Sequence, residues 1–155
     1  MLSLASRTTL IQSVSSTLPA YTMQTMDVPM KVCNDIHRLH RNFLWGDTIE
    51  KRKVHLVNWE LVCQLKKMGG LGIRKTRNQN LALLAKLSWK LICEEGALGK
   101  DVLKKKYLKT TSLNKWPKRR PASHVWRGIL KTRSTLGKGV KWEIGNGKNV
   151  DLWSD

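Results

Sequence analysis

Apolar residues recur at intervals of three and four over the first 45 residues, which is the spacing of one face of an α-helix. A first set predicts a helix that ends at Pro19 and comprises Leu4, Leu10, Ile11, Val14 and Leu18. A second set predicts an amphipathic helix over 30–46 and comprises Val32, Ile36, Leu39 and Phe43.

The pattern continues through the middle of the chain with shorter and longer elements. Residues 53–57 predict a short strand, and Asn58 is an N-cap candidate for a helix over 59–66. Leucines at helical spacing predict the longest helix over 78–94. Further helices are predicted over 99–107 and from Ser123, as N-cap, to about residue 136.

The C-terminal stretch VKWEIGNGKNVDLW has the alternating pattern of a β-hairpin. A two-residue Asn-Gly turn would put the apolar faces of the two strands out of phase. A three-residue loop over 145–147 restores the phase and places Trp142 opposite Val150 and Lys141 opposite Asp151. We therefore predict a hairpin with the longer loop.

These elements predict a mainly α protein with short strand segments and a C-terminal β-hairpin. The 155 residues suffice for one modest domain or two small subdomains. We divide the chain into helical segment 1–50, basic helical segment 51–108, basic loop 109–122 and helix-plus-hairpin segment 123–155. No apolar run approaches the ~20 residues of a membrane helix, so no membrane partner is expected.

The net charge of the chain indicates its function rather than its fold. Lys and Arg total 29 against 11 Asp and Glu, a formal net charge of +18. Such an excess favours a polyanionic partner, because each phosphate contacted by Lys or Arg releases counterions. The positive charge is also unevenly distributed along the chain. Residues 61–80 contain five cations and no acid, whereas Arg7 is the only charged residue among residues 1–26. We therefore expect RNA or DNA to bind at local basic clusters rather than over a uniformly charged coat.

Two basic clusters are the candidate phosphate-binding sites. The first surrounds the GGLG stretch at 69–72, which lacks the residue order of a phosphate loop and is predicted to be a tight turn. The second covers residues 104–120. The candidate residues are Lys66, Lys67, Arg74, Lys75, Lys104, Lys105, Lys106, Lys118, Arg119 and Arg120. Trp116 is a candidate for base stacking, and the other six tryptophans are expected in the core.

The second cluster has an alternative reading. Its two basic triplets are separated by an eleven-residue spacer, which is the layout of a bipartite nuclear localisation signal. We rank phosphate contact first and importin binding second, and the nucleus is the favoured location. A solvated basic face is the third interpretation.

Metal binding has a weak sequence signal. Cys33, His37 and His40 share one helical face, and Cys63 could supply a fourth zinc ligand. No second CxxC or HxxxH pair supports such a site, so no metal or other cofactor is expected. The three cysteines form no even framework and are expected to be reduced thiols.

Catalysis is not expected from the isolated chain. Polymerase chemistry needs carboxylates gathered around two metal ions, and the only adjacent acids are Glu94 and Glu95. No Ser–His–Asp constellation is recognisable.

The chain resembles the reverse transcriptase of plant non-LTR (LINE-type) retrotransposons, in the region that follows the polymerase palm. Its most recognisable block is Phe43-Leu44-Trp45-Gly46. The other matching positions, in chain order, are Leu2, Arg7, Leu10, Ile11, Ser13, Val14, Pro19, Tyr21, Met23, His55, Trp59, Cys63, Gly69, Gly70, Leu71, Gly72, Asn80, Ala82, Leu83, Leu84, Lys86, Trp89, Tyr107, Trp126, Trp142, Gly145, Gly147, Trp153 and Asp155. Ala5-Ser6 replaces an Ala-Gly of the family, and Leu65 stands where a proline is usual.

The resemblance implies a thumb-like helical segment followed by a connection. It places the catalytic Asp-Asp pair upstream, and a zinc-binding segment and often ribonuclease H downstream. The resemblance therefore implies that the chain has no catalytic residues of its own and binds nucleic acid. It also implies that Phe43-Leu44-Trp45 anchors its helix in the core. A thumb normally packs on a palm, so Leu10, Val14, Ile36 and Phe43 are expected to form an exposed apolar face. Two rival hypotheses are a non-functional remnant and a thumb that acts in trans with a separate palm; no specific protein partner other than a palm is expected.

Overall fold

A computed structural model describes residues 2–48, 51, 53–93, 98–108 and 121–139. The described residues are mainly helical, as predicted. Their helices are α1 Leu4–Leu10, α2 Ala20–Met23, α3 Met30–Trp45, α4 Trp59–Val62, α5 Thr76–Cys93, α6 Leu98–Tyr107, α7 His124–Lys131 and α8 Arg133–Gly139. The predicted hairpin lies outside the described residues, and the division into four segments stays a prediction.

The first predicted helix consists of an α-helix followed by a π-helical segment. Ser3 caps α1 by accepting a hydrogen bond from the Ser6 amide. The chain then continues as a π-helical segment, Ile11–Ser15, in which the Ser16 amide donates to the Ile11 carbonyl. Hydroxyls of this Ser/Thr-rich stretch donate to carbonyls four residues back, a pattern that bends helices. Hydrogen bonds from side-chain hydroxyls to backbone carbonyls therefore accompany the change from α-helix to π-helix.

Helix α3 ends in a motif built on the Phe-Leu-Trp-Gly block. Gly46 has a φ of 71°, and the Asp47 amide donates to the Asn42 carbonyl while the Gly46 amide donates to Phe43. This is a Schellman cap, which requires the left-handed region. The expectation that the whole triplet anchors the core is wrong: Leu44 is fully buried, but Phe43 is 42% exposed.

Two predicted elements in the middle of the chain differ from the structure. Residues 53–57 form no strand; the Lys53 amide and the His55 ring bond to the two carboxylate oxygens of Asp47 instead, at 3.1 and 3.0 Å. The helix predicted over 59–66 ends at Val62, because the chain turns back there and the Leu71 amide donates to the Val62 carbonyl.

The helix predicted from Ser123 to about 136 is interrupted between α7 and α8. Ser123 is the N-cap, as predicted, and its hydroxyl accepts from the Trp126 amide. Thr132 breaks the run: its buried hydroxyl donates to the Ile129 carbonyl and lies 2.7 Å from the Ser88 hydroxyl of α5. A hydrogen bond between two buried hydroxyls thus joins this one-residue break to α5.

The described core consists of three clusters, and α5 contributes to the second and the third. One joins Ile11, Leu44, Trp59, Val62 and Ile73; the second joins Leu91, Tyr107, Trp126 and Ile129; the third joins Met23, Val28 and Cys33. Helix α7 approaches α5 closely at Gly128, where a Cβ would lie 3.1 Å from Leu84 Cδ2. Trp59 and Trp126 are buried as expected, but Trp89 is 44% exposed, which corrects the expectation for that residue.

Candidate nucleic-acid interface

The GGLG stretch is a tight turn whose amides are already bonded. Gly69 and Gly72 have φ values of 84° and 69°, and a Cβ on Gly70 would lie 2.2 Å from the Gln64 carbonyl oxygen. The amides of Gly70 and Gly72 donate to the carbonyls of Leu65 and Gln64, respectively. Since these N–H groups point at protein oxygens, the turn cannot cradle a phosphate with them. Its contribution is to position the side chains on either side.

Three of the predicted cations beside this turn have no carboxylate partner within the described ranges. Lys66 and Lys67 lie on the single 3₁₀ turn Lys66–Met68, and Arg74 precedes α5; all three are exposed. Lys66 lies beside Gly72, where an added Cβ would be 3.6 Å from Lys66 Cγ. The structure therefore brings Lys66 close to the segment that carries Arg74.

Lys75 and Arg77, in contrast, are paired. Lys75 forms an exposed ion pair with Glu60. Arg77 lies 2.7 Å from Asp27, and Lys131 of α7 pairs with the other oxygen of the same carboxylate. Burial raises the pKa of Asp27, but the hydrogen bonds from Lys131 and Arg77 outweigh it and hold that pKa below its usual range. Arg77 and Lys131 thus form ion pairs within the fold. Lys75, which is paired with Glu60, is a weaker candidate for phosphate contact than its exposed neighbours.

The second cluster begins in the last turn of α6. Lys104, Lys105 and Lys106 are exposed there, where cations also interact favourably with the helix dipole. Lys106 Nζ lies 5.3 Å from the centre of the Tyr107 ring, which stacks on Trp126 at 4.6 Å. The Ser123 amide donates to the Tyr107 hydroxyl. The pKa of Tyr107 is lowered mainly by hydrogen bonding with the Ser123 side chain and then by the bond from the Ser123 amide. Lys118, Arg119, Arg120 and Trp116 lie outside the described residues.

A groove with polar and apolar walls, hereafter the Arg74 groove, opens beside the first cluster. It consists of two adjoining cavities of about 280 and 630 Å³ that share Thr17, Gly72, Arg74 and Gln79. The smaller cavity is completed by Gln12 and Ser16. Apolar side chains line the larger one, including Leu65, Ile73, Ala82 and Leu83. Sequence analysis identified Arg74 but missed the glutamines, because Gln12 and Gln79 are ordinary helix residues that only the fold brings together.

The residues of the weak zinc signal have other partners. The Cys33 thiol is fully buried and lies 3.9 Å from the Val28 carbonyl. His37 Nε2 accepts from the Thr76 amide at 2.9 Å, and His40 Nε2 lies 2.8 Å from the Ser15 hydroxyl. Burial raises the pKa of Cys33 and raises that of Cys63 to about 11, which opposes the thiolate that zinc requires. Within the described ranges, no three His, Cys, Asp or Glu side chains are grouped as metal ligands.

A second groove, the α1–α3 groove, is apolar. It has a volume of about 420 Å³ and is lined by Leu10, Ile11, Val14, Ser15, Leu18, Leu39, His40 and Phe43. Leu10, Val14 and Phe43 are 39%, 51% and 42% exposed, which confirms them as part of an open apolar face. The expectation for Ile36 is wrong, because that side chain is half-buried against the Met23, Val28 and Cys33 cluster. In the part of the chain that the structure describes, no helix has the length and hydropathy needed to cross a membrane.

The chain is similar to two proteins of Arabidopsis thaliana. No family model and no solved structure matches it. It is 40% identical over 158 aligned positions to the Arabidopsis thaliana protein named "Putative ribonuclease H protein At1g65750". That alignment covers 99% of the chain but 25% of the relative, so the chain spans a quarter of this relative's length.

A second relative is matched over most of its length. The chain is 31% identical over 139 positions to "Uncharacterized mitochondrial protein AtMg00310" of Arabidopsis thaliana, covering 89% of the chain and 90% of that protein. Both relatives fit a retrotransposon-related protein. Since the second alignment spans nearly all of both sequences, the chain belongs to the same protein family as AtMg00310.

Proposed function

We propose that the chain derives from the region after the palm of a plant non-LTR retrotransposon reverse transcriptase, and that it binds RNA or DNA through backbone phosphates. The binding proposal rests on the contrast between cations that are paired with a carboxylate and cations that are not. Arg77 and Lys131 share an ion pair with the Asp27 carboxylate, whereas Lys66, Lys67 and Arg74 are exposed without a carboxylate partner among the described residues. Unpaired, solvated cations are the groups that release counterions from a polyanion.

The relatives support the origin of the chain. A ribonuclease H name on a relative four times as long suits a retrotransposon polyprotein, in which that activity accompanies reverse transcription. The mainly helical fold, with the Phe-Leu-Trp-Gly block ending α3, suits a thumb. The chain itself is proposed to be non-catalytic.

Binding is proposed to depend little on base sequence. Neither basic cluster has the arrangement of a base-reading motif, so affinity comes from phosphates. If about five phosphates are neutralised, the slope of log K against log salt is about −3.5 on single strands and about −4.5 on duplex.

A salt titration on random RNA and DNA oligomers tests the proposal. One variant replaces Lys104, Lys105, Lys106, Lys118, Arg119 and Arg120 with Gln, and a second replaces Lys66, Lys67 and Arg74 with Gln. The matched control for the second replaces the exposed Lys31, Lys86 and Lys138 with Gln, which removes the same charge elsewhere. We expect flatter slopes and weaker binding of all sequences for the two cluster variants, and a smaller effect of the control. Equal affinity of wild type and both cluster variants at every salt concentration would refute phosphate binding and favour the remnant hypothesis.

The proposed absence of polymerase activity has its own test. Purified chain with Mg²⁺, primer-template and deoxynucleotides is expected to extend nothing. Addition of a separately expressed palm tests the rival in which the chain acts in trans, since that rival requires extension to depend on both proteins. Extension by the chain alone, abolished by a substitution in it, would contradict the proposal.

A further inference from the structure

The Arg74 groove has two chemically different ends. At the polar end, Gln12 Nε2 donates to the Leu71 carbonyl at 2.9 Å and Gln79 Nε2 donates to the Ser16 carbonyl at 3.2 Å. These bonds fix both amide side chains in the wall. At the other end, Leu65, Ala82 and Leu83 give an apolar wall. Arg74 lines both cavities and stands at their junction.

We infer that the Arg74 groove binds one unpaired nucleotide of a nucleic-acid strand, with its phosphate on Arg74 and its base in the larger cavity. The inference rests on the proposed function, because it assigns one position along the bound strand. An exposed guanidinium without a carboxylate partner in the described ranges suits a phosphate, which it holds with two parallel hydrogen bonds. The fixed glutamine amides suit hydroxyls and base edges, which both donate and accept.

The size and shape of the groove select an unpaired nucleotide. The larger cavity, at about 630 Å³, lies within the range of small-molecule sites. A base in a duplex is stacked and paired and cannot enter a cavity without leaving the helix. The groove thus adds affinity for single strands alone, whereas Lys66 and Lys67 outside the two cavities serve single strands and duplex alike.

Gly72 lies in the wall of both cavities with a φ of 69°, between Lys66 on one side and Gln12 on the other. A Cβ at this position would be in ordinary contact with both side chains, 3.6 Å from Lys66 Cγ and 3.9 Å from Gln12 Nε2. The left-handed backbone at the junction therefore favours glycine for its conformation.

The test compares two single substitutions of equal charge. Arg74→Gln removes the guanidinium from the groove, and Lys67→Gln removes an exposed cation that lines neither cavity. Affinity is measured at one salt concentration for a random single-stranded 12-mer and for a duplex of the same length. We expect Arg74→Gln to weaken single-strand binding about tenfold and duplex binding much less. Lys67→Gln is expected to weaken both to the same small extent.

A second measurement reports on the groove directly. A trinucleotide is titrated into isotope-labelled wild-type protein, and the side-chain amide signals of Gln12 and Gln79 are followed by NMR, with the fully buried Asn80 amide as internal reference. We expect the two glutamine signals to shift and the Asn80 signal to stay. Equal effects of the two substitutions on single strands and duplex, or unmoved glutamine signals during binding, would overturn the groove inference and leave the proposed function intact. Absence of any binding by wild type would overturn both.

Discussion

The buried side chain of Asn80 bonds to three backbone groups, two of them in buried and one in partly buried hydrogen bonds. Its Oδ1 accepts from the Val28 amide at 3.0 Å, and its Nδ2 donates to the carbonyls of Met23 and Met26 at 3.0 and 2.8 Å. The residue is 0% exposed. It therefore fastens the segment between α2 and α3 to helix α5, which explains structurally why an amide occupies the buried face of an otherwise apolar helix.

Asn80→Ala is predicted to be strongly destabilising. The substitution leaves buried polar groups without partners, at about 1–3 kcal/mol each, and we expect a loss of about 3 kcal/mol in the free energy of unfolding. Urea denaturation measures it, with the exposed Asn78→Ala on the same helix as control. A loss below about 0.5 kcal/mol would show that water replaces the amide at this site.

His37 couples stability to pH. Its Nε2 accepts a hydrogen bond from the Thr76 amide, so the ring is neutral at that atom. Burial lowers the pKa of His37, and the nearby Lys75 and Arg41 lower it further against the opposing charge of Glu60. Burial likewise lowers the pKa of His40. Because the neutral form is favoured in the folded state, stability is complete above the unfolded pKa of about 6.5 and is lost as pH falls below it.

The test is the urea midpoint between pH 7.5 and 5. We expect the midpoint of wild type to fall over this range and that of His37→Gln to fall less, since a glutamine oxygen can accept the same bond without titrating. His124→Gln, at an exposed position, is the control. Asp27, whose pKa is lowered, contributes a separate loss only below about pH 4. Identical pH dependence of wild type and His37→Gln would exclude this role of His37.

At the scale of elements, the end of α3 depends on a single glycine. Gly46→Ala forces a Cβ into the left-handed region and places it 2.1 Å from Arg7 Nη1, which donates to the Leu44 carbonyl. We expect a loss of about 1–2 kcal/mol in the free energy of unfolding. The matched control is Gly137→Ala in α8, where nothing lies within 4 Å and a gain of about 0.5–1 kcal/mol is expected. Equal effects of the two substitutions in thermal or urea unfolding would contradict this account.

Helix positions could be predicted better than buried faces. The spacing of Leu84 and Leu91 located α5, and Asn58 and Ser123 are the N-caps that their residue types favour. The buried stripe of α5, however, also passes through Thr76, Asn80 and Ser88. Polar residues that find partners in other segments carry no local signal, and this is also why Thr132 was not recognised as the end of α7.

For the whole molecule, the α1–α3 groove predicts dye binding or self-association. Exposed Leu10, Val14 and Phe43 form a continuous apolar lining. We expect wild type to bind an apolar fluorescent dye or to associate in sedimentation, and Val14→Gln/Phe43→Gln to reduce both. Val54→Gln/Leu56→Gln, at positions 79% and 81% exposed outside the groove, is the control. A monomer that binds no dye would argue against an open apolar face in solution.

Charge, unlike shape, could be located from the sequence at this scale. The contrast between residues 1–26 and 61–80 is visible in the chain, so Lys66, Lys67 and Arg74 were identified as candidates. Which cations are paired with a carboxylate could not be foreseen. Asp27 lies 50 residues from Arg77 and 104 from Lys131, and such separations have no periodic pattern. The Arg74 groove escaped prediction for the same reason, since Gln12 and Gln79 come from distant helices.

The two bonds of Asp27 also have a consequence for synthesis. Because a ribosome makes the chain from its N-terminus, Arg77 is made before Lys131, the other partner of Asp27. The bonds of Asn80 to the segment between α2 and α3 need only three further residues. A nascent chain that ends after α5 therefore already contains every partner that these contacts with α5 require, and Lys131 of α7 is the last partner to be made.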